Sequence, residues 1–483
     1  MSSEPALWSL AFARFGLGAK PGDGARNGDP CEALIAEITA PNVARLEDPA
    51  LRATPELLTD LYAYQQQRRA DEEAAAVARL AATTMPEPDV AALLFPRADS
   101  LAAAVVMSPA STLNPAQRAF RAEAALRLRR ACSVEIGFVE RLVAFWSNHF
   151  CVSVAKSEIG RAAAGAFERE AIRPHVLGRF ADMLVAVEKH PAMLNFLDNA
   201  QSVGPNSLAG HNNKQGLNEN LAREILELHT MGVGSGYSQS DVTQLAYILT
   251  GWTFAGRDGR LGAPGAFVFN ERAHEPLATN VRDRLYTQDG VAQGEAALVD
   301  LAREPATARH IAFKFARHFV ADRPDPALVA RLMQVFTDTD GNLALLARAL
   351  VEAPVAWSSP RTKLRNPWEF TVAAYRAFNR DLEDTGFALN ALNLLGMPLW
   401  QPGGPNGFAD ESDAWASPEG MKMRLELTAQ FAHSLRGGPR PQDFVADILG
   451  AGASEATRET VTRAESSEQA YALAMLSPEF QRR

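Results

Sequence analysis

The sequence of residues 136–150, Ile-Gly-Phe-Val-Glu-Arg-Leu-Val-Ala-Phe-Trp-Ser-Asn-His-Phe, decides the fold class. An α-helix turns by about 100° per residue, which places six apolar side chains on one face: Ile136, Val139, Leu142, Val143, Trp146 and Phe150. Such a stripe predicts a helix that packs against a core. The pattern extends back to Pro115, with Asn114 as its N-cap, so we expect one helix from Pro115 to about Cys151.

The same helical period recurs along most of the chain, whereas the alternating pattern typical of strands is almost absent. Further helices are predicted at about residues 57–82, 161–172, 174–188, 190–198, 218–231, 238–250, 293–304, 306–321, 326–337, 342–352, 366–380, 384–396, 418–435, 441–449 and 455–475. Only Phe267–Phe269 indicates a short strand or hairpin. We therefore expect an all-α fold, a multi-helix globular protein with irregular Gly- and Pro-rich loops and at most a short β-hairpin.

The composition is that of a globular protein with enough apolar residues for a sizeable core. The chain has 483 residues, of which 47% are hydrophobic and 22% are charged. We expect two regions, an Ala-rich helical N-terminal region at residues 1–110 and a helical core at residues 111–483. Five prolines interrupt residues 83–115, and they predict a connecting segment there.

The charge, the cysteines and the N-terminus bear on the class of protein. A formal net charge of -9 argues against binding to nucleic acid, and no stretch of about 18 apolar residues predicts a membrane span. The three cysteines, Cys31, Cys132 and Cys151, are too far apart to indicate a zinc knuckle or a disulfide framework. The N-terminus has no signal-peptide pattern. We expect a cytoplasmic protein, and export together with a partner stays open.

The predicted helix at residues 218–231 has a polar arc of about 140° at helical spacing. That arc contains Glu219, Asn220, Arg223, Glu224 and Glu227. Grouped carboxylates that face a cavity can act as acid and base or hold a cation. The alternative is a surface helix with i,i+4 ion pairs, each worth a few tenths of a kcal/mol. His229 lies on the apolar arc of the helix, where a hydrogen-bonded core histidine is the alternative to a site residue.

A polar loop, residues 199–216, leads into this helix and carries Asn206, while Asn218 stands at the helix N-terminus. Unpaired N–H groups at a helix N-terminus attract anions, and the alternative is a loop of solvated turns. His149, next to Asn148, lies at the edge of its apolar stripe, and His274 lies on a predicted loop. Either imidazole could transfer protons or bind a ligand, although a buried structural role is the alternative for His149.

A short basic cluster, Lys314, Arg317 and His318, falls on one predicted helix. An isolated cluster of this kind is typical of a solvated helix face, and we expect that here. No phosphate-binding loop, zinc-protease motif or serine-nucleophile motif occurs in a suitable context.

Several ordered motifs resemble a known family. They include Phe145–Phe150, His190–Ser202, Leu217–Gly232, Lys314–Phe319 and Gly404–Gly407. Over nearly its whole length the chain resembles the bacterial family of domain of unknown function 1800 (DUF1800). The resemblance implies a largely helical domain and carries over no catalytic residue. It also implies a partner, because such proteins are often encoded beside members of domain of unknown function 1501 (DUF1501), which resemble sulfatases or phosphatases.

Two main hypotheses for function follow, and a third is a protein that binds a small anion or saccharide at the helix N-terminus near Asn218. The first is a hydrolase-like enzyme with a polar cavity between the His149 helix, the 199–216 loop, the 218–231 helix and the His274 loop. Its catalytic residues would be Glu219, Glu224, Glu227, His149 and His274. Its binding residues would be Asn148, Asn206, Asn218, Asn220, Arg223 and His229. The cofactor is open, with a divalent metal ion as the candidate. The alternative is a non-catalytic partner or scaffold of a DUF1501-type protein, in which the carboxylates form a structural ion-pair network.

Overall fold

The computed structural model describes residues 4–83, 113–212, 216–379, 385–433 and 438–483. Within these ranges the chain forms twenty-two α-helices and two small antiparallel sheets, so the expected all-α class is confirmed. The predicted connection at residues 83–115 lies almost wholly outside the described residues. No helix in the described part of the chain is long and apolar enough to span a membrane.

The helices follow one another along the whole chain. They are α1 (Glu4–Arg14), α2 (Pro30–Thr39), α3 (Thr54–Thr83), α4 (Pro115–Ser133), α5 (Phe138–His149), α6 (Glu158–Phe167), α7 (Phe180–Glu188), α8 (Pro191–Phe196), α9 (Asn220–Glu224), α10 (Gln239–Leu249), α11 (Val291–Ala302), α12 (Pro305–Phe319), α13 (Pro326–Asp338), α14 (Leu343–Val351), α15 (Pro354–Ser358), α16 (Pro367–Ala377), α17 (Gly386–Leu394), α18 (Pro418–His433), α19 (Pro441–Ile448), α20 (Glu455–Thr462), α21 (Ser467–Leu476) and α22 (Pro478–Gln481).

Two of these helices replace the single long helix predicted from Pro115. The helix α4 ends at Ser133, and α5 begins after Gly137, whose φ of 92° lies in the left-handed region. A Cβ atom at Gly137 would also approach a side-chain carbon of Leu17 to 2.9 Å. The Glu37 carboxylate accepts hydrogen bonds from the backbone N–H groups of Gly137 and Val139, and it thereby caps the start of α5. The apolar stripe continued across this break, which is why the pattern predicted one helix.

Each small sheet has two strands. Strand β1 (Trp252–Phe254) pairs with β2 (Phe267–Phe269), the segment predicted as a strand or hairpin. Strand β3 (Thr279–Val281) pairs with β4 (Arg284–Tyr286), and the sequence did not predict this second pair. Its turn residues, Arg282 and Asp283, have φ values of 50° and 62° without the Asn-Gly or Gly-Gly pair that usually marks such turns.

The core is built around α5 and α12. All six residues of the predicted stripe on α5 are buried, at 3% exposure or less, which confirms the core-facing assignment. Phe145 on α5 packs edge-to-face on Phe315 of α12, with ring centroids 5.4 Å apart. The cluster of buried apolar residues that contains them extends from Trp8 to Phe480. These two helices therefore carry a rigid platform at the centre of the protein, and the candidate site lies on it. The division of the chain near residue 110 stays a prediction.

Candidate functional site

A cavity of about 80 Å³ lies where the C-terminal end of α5 meets α12. Its polar lining includes Asn148 and His149 from α5, Lys314 and His318 from α12, and Asp410 from the segment that precedes α18. The rest of its wall is largely apolar and aromatic: Phe145, Trp368, Leu392, Met397, Leu399, Trp400 and Phe408. Arg127, Asn366 and Glu369 also line it, so the cavity combines charged and polar groups with apolar and aromatic walls, as small-molecule sites do.

Lys314 and His149 are in direct contact inside this cavity. The Nζ atom of Lys314 lies 2.8 Å from Nδ1 of His149, and Nε2 of the same ring lies 3.0 Å from the His229 carbonyl oxygen. Because a carbonyl only accepts, Nε2 carries the proton and Nδ1 accepts from the lysine. Burial and the nearby charge of Lys314 hold the pKa of His149 well below its usual range. His149 is therefore a neutral imidazole in one fixed tautomer, and it orients the Lys314 amine.

Lys314 is half-buried, and within the described residues no carboxylate lies at ion-pair distance from its amine. Burial lowers the pKa of Lys314 to about 8, although Asp410 and Cys151 act in the opposite direction. An amine with this pKa is protonated in part and neutral in part at mildly alkaline pH. Such a group can give and take protons in a reaction, which an ordinary surface lysine does far less readily.

His318, the second histidine on this face of α12, belongs to a buried ion-pair network. Its Nδ1 donates to Asp410 at 2.9 Å, and Nη2 of Arg141 lies 3.4 Å from its Nε2. Burial lowers the pKa of His318 to about 4, so the ring is neutral. Both of its nitrogen atoms are therefore engaged, Nδ1 with Asp410 and Nε2 with Arg141 on α5.

Glu369 is the anionic centre of that network. Arg141 and Arg483 contact its carboxylate at 3.1 Å and 2.6 Å. Burial alone would raise the pKa of Glu369, but the two guanidinium groups outweigh it and bring the value down to about 2. Arg141 lies off the apolar stripe of α5, yet its side chain is only 1% exposed because it is paired with Glu369. Since Glu369 itself lines the cavity, this network forms a charged part of the cavity wall.

The prediction of a solvated basic face on α12 was wrong. His318 is buried and Lys314 is half-buried, while Arg317 pairs with the Glu411 carboxylate. The signal that could have revealed this is the apolar spacing of Ile311, Phe315 and Phe319. Lys314 and His318 each directly precede one of the last two, so they flank a core-facing stripe.

Asn148 closes the cavity from the side of the Gly- and Pro-rich loop, residues 402–407. Its side-chain amide donates to the Phe408 carbonyl at 2.9 Å and accepts from the Phe408 N–H at 2.8 Å. The chain passes so close here that a Cβ atom on Gly407 would lie 2.5 Å from the Asn148 backbone oxygen. Asn148, predicted as a binding residue, thus fixes the loop that leads to Asp410.

His229, another predicted binding residue, is 1% exposed and lies behind His149, with the two ring centroids 6.3 Å apart. Its Nδ1 lies 2.7 Å from the carboxylate of Glu188 on α7, a fully buried residue that the sequence analysis did not select. The helix is π-helical from Ile225 to His229, and such wide turns are frequent at functional sites. This turn brings the His229 carbonyl within reach of His149.

The predicted polar arc lies outside the lining of this cavity. Glu219 accepts hydrogen bonds from Thr243 and Gln239 on α10 and from Arg223, and those from Thr243 and Gln239 are the main cause of its lowered pKa. Arg223 also approaches Glu227 at 3.5 Å. The side chains of these residues are about a quarter to a third exposed, and Asn220 is exposed. These residues have the geometry of the alternative considered from the sequence, a surface helix with i,i+4 ion pairs.

Glu224 differs from the other carboxylates on this helix. It is half-buried on the side nearer His229, and burial raises its pKa. A carboxyl group with a raised pKa suits acid–base chemistry better than an exposed one.

The remaining predicted residues connect loops to one another. Asn206 donates through its side chain and its backbone to the two carboxylate oxygens of Glu275, at 2.7 Å and 3.0 Å. His274 donates from Nδ1 to the Thr250 carbonyl at 2.9 Å. Asn218 donates to the Asp198 carbonyl at 3.1 Å. None of these side chains lines the Lys314 cavity, and their proposed catalytic or binding roles stay predictions.

The carboxylates and histidines do not assemble into a metal-binding set. Across the described ranges of the chain, no group of three or more His, Cys, Asp or Glu residues has an arrangement that could hold a metal ion. The described residues therefore supply no ligand set for the divalent ion considered from the sequence.

Comparison with known proteins gives a family and nothing further. The family described as protein of unknown function (DUF1800) matches residues 10–482, nearly the whole chain. No curated protein and no solved structure matches the chain.

Proposed function

The chain belongs to the DUF1800 family, whose description names no activity, and we propose that it is an enzyme whose reacting group is the Lys314 amine. The reaction class we propose is hydrolysis of a small, uncharged ester or amide. The observation that carries this proposal is the setting of Lys314. Its amine lies at a cavity wall against a neutral histidine, without a carboxylate partner in the described chain.

A buried lysine elsewhere in the chain, Lys363, shows how a structural amine differs from Lys314. Lys363 has a side chain only 1% exposed, and its Nζ lies 2.6 Å from the Asp322 carboxylate and 2.7 Å from the Asp410 carbonyl. That is the usual arrangement for a structural lysine, since a buried charge needs a partner. Among the described residues Lys314 has no such partner, and its pKa of about 8 leaves it able to act as a base.

The hydrolysis would proceed by general base and general acid catalysis. The neutral Lys314 amine takes a proton from a water molecule as the water oxygen attacks the carbonyl carbon. The resulting ammonium then returns that proton to the departing alkoxide or amine. One water is consumed, and the bond between the carbonyl carbon and the leaving group breaks. His149 acts as a positioning residue, because its Nδ1 accepts from Lys314 and so limits the rotation of the amine.

Other reacting groups at the cavity are less suited to the reaction. Burial raises the pKa of the Cys151 thiol to about 12, and the thiol donates to the Pro405 carbonyl at 3.3 Å. Since the thiolate is the nucleophilic form, Cys151 is not poised to attack a substrate. His149 and His318 are both neutral and hydrogen-bonded. Lys314 is the remaining group on the polar side with a pKa near the working range of a base.

The apolar side of the cavity indicates the kind of substrate. Trp368, Trp400 and Met397 form much of that side. Aromatic and apolar walls favour an apolar acyl group beside the reacting carbonyl, and a volume of about 80 Å³, below the usual range for small-molecule sites, admits only a small one.

The test uses p-nitrophenyl acetate and p-nitrophenyl butyrate with three proteins: wild type, Lys314→Met and Lys422→Met. The Lys422 side chain is 72% exposed and serves as the matched control. We expect Lys314→Met to lose at least about a hundredfold in kcat/KM, the usual scale for a general base. We expect Lys422→Met to keep the wild-type value. Equal rates in all three proteins would contradict the proposal and favour the non-catalytic partner of a DUF1501-type protein.

The hydrolase proposal also retains a role for the carboxylates as acid or base. Glu224 is the best placed of them, because it is half-buried with a raised pKa. Glu224→Gln and the more exposed Glu227→Gln form a matched pair on one helix. A loss of turnover in Glu224→Gln alone would include this carboxylate in the mechanism, whereas unchanged turnover in both variants would remove the carboxylates from it.

A further inference from the structure

A second cleft lies beside the Lys314 cavity and shares two wall residues with it, Pro398 and Leu399. Its volume is about 400 Å³. Small-molecule sites are typically about 300 to 1,000 Å³, so this cleft is large enough for a compact metabolite. The helices α4, α6 and α17 form it, together with the segment that ends at Gln401.

Two arginines line the cleft, Arg121 from α4 and Arg161 from α6. Neither has a carboxylate within ion-pair distance in the part of the chain that the structure describes, and no Asp or Glu is among the described lining residues. A third arginine in this region, Arg169, is neutralised by Glu123 at 2.9 Å. In a chain with a net charge of -9, two guanidinium groups in one cleft without a carboxylate partner among the described residues indicate an anionic ligand.

The other polar groups of the cleft are uncharged. Three carboxamides, Asn390, Asn393 and Gln401, line it together with the apolar side chains of Phe120 and Leu389. A carboxamide both donates and accepts, so it suits a hydroxyl group, which does the same. A guanidinium group binds phosphate oxygens through two parallel N–H bonds.

We infer that this cleft binds a phosphate monoester of a hydroxyl-bearing small molecule, a sugar phosphate in chemical class. A phosphate monoester carries a charge of about -1.5 to -2 near pH 7, which matches two guanidinium groups better than a single carboxylate does. The hydroxyl groups would contact the carboxamides, and the carbon skeleton would lie on Phe120. The site does not depend on the reaction proposed for Lys314.

Isothermal titration calorimetry at low ionic strength tests the inference, with glucose 6-phosphate, inorganic phosphate and glucose as probes. The proteins are wild type, the double variant Arg121→Gln/Arg161→Gln, and Arg463→Gln as a matched control. Arg463 lies on α20 with a side chain 78% exposed. We expect glucose 6-phosphate to bind wild type and Arg463→Gln equally, and to bind the double variant at least about tenfold more weakly. Circular dichroism spectra that match between variants would show that the fold is intact.

Three results would overturn the inference. The first is that glucose 6-phosphate gives no heat with wild type at about 10 mM, a concentration well beyond the weakest affinity of interest. The second is that the double variant binds glucose 6-phosphate as tightly as wild type does. The third is that inorganic phosphate binds as tightly as glucose 6-phosphate, which would leave the carboxamides without a role. Lys314→Met should bind glucose 6-phosphate normally, so a failure of the enzyme proposal is distinguishable from a failure of this one.

Discussion

His149 joins three parts of the protein through one ring. Its Nδ1 accepts from Lys314 on α12, its Nε2 donates to the carbonyl that ends the π-helical turn, and its carbon edge packs on Phe150 with centroids 4.4 Å apart. A phenyl ring could occupy the same space, but it would leave both polar partners unsatisfied. An unsatisfied buried donor or acceptor costs about 1–3 kcal/mol.

We therefore predict that His149→Phe lowers the free energy of unfolding by about 1–3 kcal/mol, measured by urea denaturation. The control is His433→Phe, because the His433 side chain is 63% exposed. Wild-type stability in both variants would mean that the hydrogen bonds of His149 contribute nothing net.

His318 predicts a pH dependence of stability. Its pKa is about 4 in the folded protein, against an ordinary value of 6.5. As the pH falls, the His318 ring therefore takes up its proton first in the unfolded chain. The contribution of the neutral His318 to the free energy of unfolding is complete above pH 6.5 and is lost as the pH falls toward 4. We expect the free energy of unfolding to decline over that interval in wild type. In His318→Gln the decline should be shallower by up to about 1.4 kcal/mol per pH unit, the value for one proton.

Urea denaturation at several pH values measures this slope, with His433→Gln as the exposed control. An identical slope in wild type and His318→Gln would show that His318 titrates normally in the folded state. At lower pH a further decline is expected from Glu369, whose pKa of about 2 lies below its ordinary 4.5.

At the scale of elements, the Gly- and Pro-rich loop determines whether the cavity keeps its shape. Gly407 has a φ of 75°, and a Cβ there would lie 2.5 Å from the Asn148 backbone oxygen. Gly403, four residues earlier in the same loop, has nothing within 4 Å of the corresponding position. A side chain is thus excluded at Gly407 but has room at Gly403, so the two glycines form a matched pair for substitution.

We predict that Gly407→Ala destabilises the protein by about 1–3 kcal/mol, the cost of strained backbone and close contact. It should also lower any turnover at Lys314, since the residues that follow Gly407 form part of the cavity wall. Gly403→Ala should remain close to wild type in both measurements, which are urea denaturation and ester hydrolysis. Equal effects at the two positions would contradict the assigned role of the Gly407 contact.

At the scale of the whole molecule, local periodicity predicted the fold class but could not predict the site. The stripe on α5 is a repeat of three and four residues, so it is visible in the sequence, and the structure buries every member of it. His149 was selected because it lies at the edge of that stripe. Lys314 and Asp410 come close to it only because helices far apart in the chain pack together.

The same reason explains the partner of His229. The sequence showed that His229 lies on an apolar arc, but Glu188 is 41 residues away on another helix. Charge on a helix surface is also ambiguous by itself. Charged residues at helical spacing occur on both helices, as Glu219 and Glu227 on one and as Lys314 and Arg317 on the other. Of these four side chains, Lys314 lines the cavity. The packing of helices that are distant in the chain determines whether such a side chain faces solvent or a cavity. The local sequence pattern does not show that packing.

The most direct test of the account measures the pKa of Lys314 without any substrate. Competitive acetylation with trace acetic anhydride, followed by mass spectrometry of the lysine peptides, gives the pH dependence of each amine's reaction rate. We predict a midpoint near pH 8 for Lys314 and an ordinary midpoint near 10.5 for the exposed control Lys422. A Lys314 midpoint near 10.5 would contradict the claim, because the amine would then be an ordinary cation and not a base fit for catalysis.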